Sequence, residues 1–395
     1  MSDKKYAWVR DALSHVPLTT KARALKHFLM GKNEYLPAKK TRADMDEVIK
    51  CALCPNMCKF DCPVLAAAAT DAVSPSGKAR LAYFLETEAL ATDDAALLMY
   101  ACCSCDACRE WCPFDFSVAD ILQGVRADLV DRHREPEAAR ETRQRLEEQH
   151  SLHQRQVEPA GPPTGDLLYF MGCEVSARHP EIARDTRTVL EAAGVTPAML
   201  PQEWCCGAPL LSMGYVDDFL DVARHQARAV ESSRCSTVVC SCPTCTYMLR
   251  VMYPRHGVSL PAQVLHSSEY LARLVQEERL PAGAVDGPCV YHDPCTLARK
   301  LGVMDPPRQV LHRMGMDVRE SPFKREHTQC CGRGGSLPSF FPKVADAITE
   351  ARLQELHRTA LCIVTACPTC KSAFSGQGAE AYDLVQVVRR ALEEA

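Results

Sequence analysis

The sequence predicts a multi-domain α+β protein, with an α-helical front segment followed by two tandem α/β units. Three observations predict it. Eight of the 23 cysteines stand in two tight groups before Pro113. Ten more recur as two sets of five in the second half of the chain. After Gly165, short apolar runs alternate with helical patterns, the order expected of a parallel sheet.

The elements follow in chain order. Residues 1–45 form a basic lead-in, with nine Lys/Arg against three acids before Thr41. Trp8, Val9, Leu13 and Val16 fall at helical spacing there and predict an amphipathic helix docked on its own protein. Residues 46–130 carry the two tight cysteine groups. Between the groups, Ser74 to Leu90 reads as a capped helix, and Ala95 to Tyr100 as a second. Residues 131–165 are a charged helical linker, closed by the helix-breaking P-A-G-P-P-T-G of Pro159 to Gly165. Residues 166–280 and 281–395 are the two tandem units.

Each unit opens with an apolar run ending in cysteine, at Cys173 and at Cys295. Each then reaches C-C-G, at Cys205-Cys206-Gly207 and Cys330-Cys331-Gly332. A long helical stretch and a β-branched run follow, then C-P-T-C, at Cys242 to Cys245 and Cys367 to Cys370. Four of the five cysteines recur at the same offset of 125 residues, and the leading one at 122. Each unit closes with an amphipathic helix, near Tyr270 and near Leu384.

Bulk properties narrow the function. Net charge is −4, so nothing global points to nucleic acid or an anionic membrane. No apolar run is long enough to span a bilayer and no signal peptide is legible, so a cytoplasmic protein is expected, with a partner protein as its route to the inner membrane. An odd number of cysteines in a large chain without an export signal argues against a disulfide framework. The thiols are expected to be reduced and mostly metal-bound.

Cys51, Cys54, Cys58 and Cys62 read C-x2-C-x3-C-x3-C-P; Cys102, Cys105, Cys108 and Cys112 read C-x2-C-x2-C-x3-C-P. The second is the spacing of bacterial two-cluster ferredoxins, in which the fourth cysteine ligates the other cluster. This predicts two cubane [4Fe–4S] clusters, one on Cys51, Cys54, Cys58 and Cys112, the other on Cys102, Cys105, Cys108 and Cys62. Two four-cysteine zinc sites are the plainer alternative. Cys103, beside Cys102, has no place in the spacing and reads as a buried free thiol. Cys240, Cys289 and Cys362 lie in apolar runs and read as core; Cys235 also falls outside the repeat.

Five thiolates per tandem unit exceed what a cube or a zinc ion requires. They suggest a larger or more open iron–sulfur assembly. Gly207 and Gly332, lacking Cβ, are expected to let backbone approach it. Proline in C-P-T-C suits a first helical turn, whose free N–H groups stabilise negative charge.

Tandem copies of this pattern behind a two-cluster segment resemble the cysteine-rich (CCG) domains of heterodisulfide reductase, as in its D component or a fusion of its C and B components. The iron–sulfur subunits of glycolate oxidase and of anaerobic glycerol-3-phosphate dehydrogenase are related architectures. The resemblance implies a two-cluster ferredoxin-like domain before two CCG domains, each binding a noncubane [4Fe–4S] cluster. It implies reductive cleavage of a disulfide between the two. Two protons must follow the electrons, and His292 and His327, near the second set in sequence, are the candidate donors.

No G-x-G-x-x-G or P-loop is present, so no flavin or nucleotide is expected on this chain. Flavin- or iron–sulfur-containing partner subunits are expected instead, in a hetero-oligomeric complex. Two functions compete: a disulfide-type reductase, and a relay between a flavin dehydrogenase or ring reductase and a quinone, ferredoxin or membrane partner. A zinc scaffold is a third.

Overall fold

The structure, a computed structural model, describes residues 14–22, 36–37, 40–90, 92–153, 161–283, 285 and 287–394. The helix expected around Trp8, Val9 and Leu13 lies outside them. Among the described residues, no helix is long and apolar enough to cross a membrane.

Each tandem unit folds around a four-stranded, all-parallel sheet. The first holds β1 (Leu167–Phe170), β2 (Pro197–Met199), β3 (Thr237–Cys240) and β4 (Gln263–His266), in the order β2-β1-β3-β4. The second holds β5 (Pro288–His292), β6 (Asp317–Arg319), β7 (Cys362–Thr365) and β8 (Ala381–Asp383), in the order β6-β5-β7-β8. The inner strands β1, β3, β5 and β7 are short and apolar because helices cover both faces, whereas the edge strand β6 is polar and exposed.

Alternation along each strand decides what meets what. Leu168 and Phe170 face a core shared with the front segment, including Val48, Met99, Tyr100, Ile121 and Val125. Leu167 and Tyr169 face the opposite way, into a core shared with Tyr291, Val310, Val364 and Leu384 of the second unit. In that core the helix between the first two strands of each unit packs on the last helix of the other: Pro180–Ala192 on Leu384–Glu394, and Asp305–Arg313 on Ser267–Gln276. The sequence repeat has become an approximate two-fold arrangement.

The front segment is helical throughout. Ser74 caps Pro75–Glu86 by accepting from the Gly77 N–H, as its position in the sequence suggested. The helix ends at Glu86 rather than Leu90, where Glu88 turns to a φ of 58°. The second expected helix runs from Asp93 to Leu98, capped by Thr92. The charged stretch is two helices, Val118–Asp131 and Glu137–Gln149, because Pro136 cannot continue the first.

The front segment also touches the second unit. Cys62, Ala101, Cys103 and Cys105 share a core with Cys330, Leu337, Ala345 and Ile348. All four groups of thiols therefore converge on one region.

Candidate iron–sulfur centres and the cavity between them

The strands deliver the cysteines to one end of each sheet. Cys173 follows β1, Cys205-Cys206 follows β2, and Cys242 follows β3 by two residues. This is the carboxyl end, where open α/β sheets hold their ligands. Both C-P-T-C motifs open helices, Pro243–Tyr247 and Pro368–Ser375, with proline in the first turn. N–H groups of Thr244 and Cys245 point at the Cys242 sulfur.

The five sulfurs of the first unit act on one another in series: Cys173, Cys205, Cys206, Cys245, Cys242. The second unit repeats the series as Cys295, Cys330, Cys331, Cys370, Cys367, where Cys370 Sγ donates to Cys331 Sγ over 3.3 Å. The two series come together at Cys242 and Cys367. Their proximity polarises the thiols. Hydrogen bonds from their neighbours push Cys206 down to about 6 and hold Cys242 and Cys331 well below a free thiol. The same bonds raise Cys245, Cys330, Cys367 and Cys370.

The front cysteines pair crosswise. Cys51 has Cys58, Cys112 and Cys54 as neighbours, and burial pushes it up to about 12. Cys62 has Cys102 and Cys105 as neighbours. Cys62, Cys102, Cys105 and Cys108 line one small cavity together. Beyond it, Cys330 packs with Cys103 and Cys105, so the second unit abuts this set directly.

An all-sulfur donor set of this kind suits iron–sulfur clusters or zinc. Five sulfurs in a run, twice, with backbone N–H groups aimed at them, fit an anionic cluster better than a four-coordinate ion.

Gly207 and Gly332 correct the reason expected for them. Both have left-handed φ, 80° and 87°. An added Cβ would not face the sulfurs: it would sit 2.9 Å from Phe219 Cδ2 and 2.6 Å from Ala345 O, on the long helices of the units. Their contribution to the site is the N–H, which donates to Cys205 and to Cys330 (3.4 Å).

Neither candidate histidine lines the cavity between the units. His292 is fully buried at the end of β5. Burial and the Arg352 guanidinium push it down to about 3, and Arg352 Nε donates to its Nδ1 at 3.3 Å. His327 is half-exposed at the outer seam, stacked on Trp111 with ring centroids 5.0 Å apart.

That cavity, of about 630 Å³, is lined by all five cysteines of the first unit and by Cys295 of the second. Its charged lining is mostly basic: Arg126, Arg145, Arg178, Lys300 and Arg333 against Asp120 and Glu174. His153, also in the lining, bonds Glu174 over 2.6 Å. Burial would raise Glu174, but His153, Ser372 and Arg178 hold it below the ordinary carboxylate range.

Sequence reasoning missed His153, Glu174, Lys300 and Arg299. The Arg299 guanidinium ties the two halves together, donating to Cys105 O (2.6 Å), Glu326 O (2.9 Å) and Thr328 O (2.6 Å). No spacing marks such residues. Cys103, Cys235, Cys240 and Cys289 are buried, and Cys362 half-buried.

Comparison with known proteins agrees with this geometry. The cysteine-rich domain family matches residues 167–250 and 289–375. The chain is 31% identical over 306 residues to the D component of dihydromethanophenazine:CoB–CoM heterodisulfide reductase of Methanosarcina barkeri, covering 73% of this chain and 75% of that one. It is 29% identical over 285 residues to the B component of fumarate reductase (CoM/CoB) of Methanothermobacter marburgensis, covering 69% and 56%. It is 26% identical over 334 residues to EtfAB:quinone oxidoreductase of Syntrophomonas wolfei, covering 75% and 46%. A crystal structure of a hypothetical protein from Helicobacter pylori shares the fold, with a TM-score of 0.56 at 10% identity over 99% of this chain and 76% of that one. The chain belongs to the family of the heterodisulfide reductase D component, iron–sulfur electron-transfer subunits of oxidoreductases with paired cysteine-rich domains.

Proposed function

We propose that this chain delivers electrons to a disulfide-type substrate bound in the cavity between its two cysteine-rich units. One observation carries the reading: the leading cysteines of both units, Cys173 and Cys295, open onto the same cavity. A bond that must be split between two centres needs both within reach of one pocket.

The ligand sets follow the groupings above. Cys51, Cys54, Cys58 and Cys112 hold one cubane, and Cys62, Cys102, Cys105 and Cys108 the other. Cys173, Cys205, Cys206, Cys242 and Cys245 hold one noncubane cluster, and Cys295, Cys330, Cys331, Cys367 and Cys370 the second. When bound, the clusters supply electrons one at a time and Lewis-acidic iron beside the S–S bond.

The chain's own residues do the rest. Lys300, Arg145 and Arg333 draw in and orient a substrate with anionic arms. Reduction of a disulfide to two thiols consumes two electrons and two protons. His153, held by ionised Glu174, is the proton donor placed in the cavity, a role that His292 and His327 are too far from its walls to fill.

Electrons come from a flavin- or iron–sulfur-containing partner protein. Leu53, Met57, Phe60, Trp111 and Phe114 are exposed apolar side chains on the loops carrying the first cubane set, and they make the docking face.

The test is anaerobic purification, iron and acid-labile sulfide analysis, and EPR with and without oxidised small thiols. Iron for four centres and a new paramagnetic species on adding a disulfide are expected, with the new species lost in Cys295→Ser. Reduced-cluster signals indifferent to every disulfide would mark the chain as a pure relay. Zinc, or iron for only two centres, would remove the noncubane assignment.

A further inference from the structure

We propose that Lys78 is a tuning residue: its charge holds the reduction potential of the cubane on Cys62, Cys102, Cys105 and Cys108 above that of its neighbour. The inference rests on the ligand assignment made above.

Lys78 sits on the helix Pro75–Glu86 and is 1% exposed. Its Nζ donates to Ala101 O at 3.0 Å, the only hydrogen-bond acceptor it meets among the described residues. A buried ammonium without an anionic partner is costly. What offsets it here is sulfur. Lys78 also lines the small cavity onto which all four ligands of this cubane open.

The consequence is electrostatic. Reduction adds one negative charge to a centre already held by four thiolates. A cation fixed beside it in a poorly screened interior favours the reduced form. The neighbouring set has weaker support. All four of its cysteines are only half-buried, whereas Cys62 and Cys105 of the other set are fully buried, so water screens the neighbouring set more. Lys78 acts on Cys51 less strongly than burial, Cys58, Cys112 and Cys54 do. The difference makes the buried cubane, the one beside Cys330, the better electron acceptor. Reduction is thereby biased toward the cysteine-rich units.

Lys78→Gln tests this, because an amide keeps a donor for Ala101 O and removes only the charge. Lys78→Arg keeps the charge. Both are compared with the wild-type chain after anaerobic cluster reconstitution, by EPR-monitored redox titration with iron and sulfide counted in each sample. In Lys78→Gln the midpoint of one cubane should fall by at least tenfold in its reduction equilibrium, about 59 mV for one electron. The other cubane should keep its midpoint, and Lys78→Arg should stay with the wild type. Equal midpoints in Lys78→Gln and wild type would overturn the proposal. So would equal shifts of both cubanes, an equally negative Lys78→Arg, or loss of iron from Lys78→Gln alone. A wild-type chain without iron and sulfide for two cubanes would instead fail the ligand assignment, a distinct result.

Discussion

The two cysteine-rich units carry the same five sulfurs in the same order, yet they face different neighbours. All five cysteines of the first unit line the cavity, whereas only Cys295 of the second does. The cysteines of the second unit instead lie beside the front cysteines, with Cys330 next to Cys103 and Cys105. One copy looks toward the cavity and the other toward the front cysteines. Duplication supplied two equal ligand sets, and packing made them unequal.

The surfaces that dock on the front segment show how. After C-C-G, the first unit continues Ala208-Pro209-Leu210-Leu211, and both leucines are buried in the core shared with the front helices. The second continues Arg333-Gly334-Gly335-Ser336. Here loop meets loop without side chains: a Cβ on Gly334 would sit 2.3 Å from Cys103 O, and one on Gly335 2.2 Å from Cys102 O. Gly335→Val should therefore be the most damaging change, losing roughly 2–6 kcal/mol from clash and left-handed strain. Leu210→Val, its counterpart, should lose about 1 kcal/mol. Thermal unfolding of both variants compares them, and only the first should also shed iron from the second cubane.

Arg299 sharpens the contrast next. Its counterpart in the first unit is Ala177, which has no such reach. Arg299→Met leaves three carbonyls of the seam without their donor and should cost about 2–4 kcal/mol in denaturant unfolding.

A third difference is one of titration. His266 and Asp383 occupy equivalent positions, at the ends of β4 and β8, and each caps the following helix. Burial acts on them oppositely. It pushes His266 down to about 4, as a neutral ring whose Nδ1 accepts from the Ser268 N–H. It pushes Asp383 up to about 7. The stability from neutral His266 is present above its unfolded pKa and lost as pH falls toward 4. The stability from protonated Asp383 is present below its unfolded pKa and lost as pH rises toward 7. Between about pH 4 and 6.5 the two slopes cancel. Asp383→Asn should uncover a stability that rises with pH by about 1.4 kcal/mol per unit there, and His266→Gln one that falls at the same rate. Urea unfolding across this range measures both; flat profiles in both variants would refute the balance.

The smallest effects concern how each C-C-G loop is tied to the first strand of its sheet. In the first unit Glu203 accepts from the Met171 N–H (2.9 Å) and the Gly172 N–H (2.7 Å). In the second, Thr328 at the same place donates to Asp293 O over 2.9 Å. Glu203→Gln should cost about 2 kcal/mol and Thr328→Val about 1 kcal/mol. Thermal melts should rank them in that order.

Much of the site was legible before any fold was known. Cysteine spacing is a local constraint: ligands of one centre must come from short loops, so C-x2-C and C-P-T-C keep their pattern in the chain. Short apolar strands and helices capped by Ser74, or opened by Pro243 and Pro368, are likewise local. Lys78, Arg299 and His153 were not legible, since a buried cation reads like any surface one until its neighbours are known. The positions of His292 and His327 were not legible either, and neither lines the cavity. Nearness to cysteine in sequence put one in a sealed core and the other on the outer seam.

By itself, the sequence determined that two sets of four and two sets of five sulfurs exist, and that parallel sheets would present the fives at their carboxyl ends. These follow from ligand valence and strand periodicity, which act over a few residues. Only the tertiary structure decided which unit faces the cavity, which abuts the front cysteines, and where Lys78 and Arg299 place their charge. Those depend on contacts between residues far apart in the chain, and a long-range Coulomb interaction in a dry interior leaves no periodic trace in the order of amino acids.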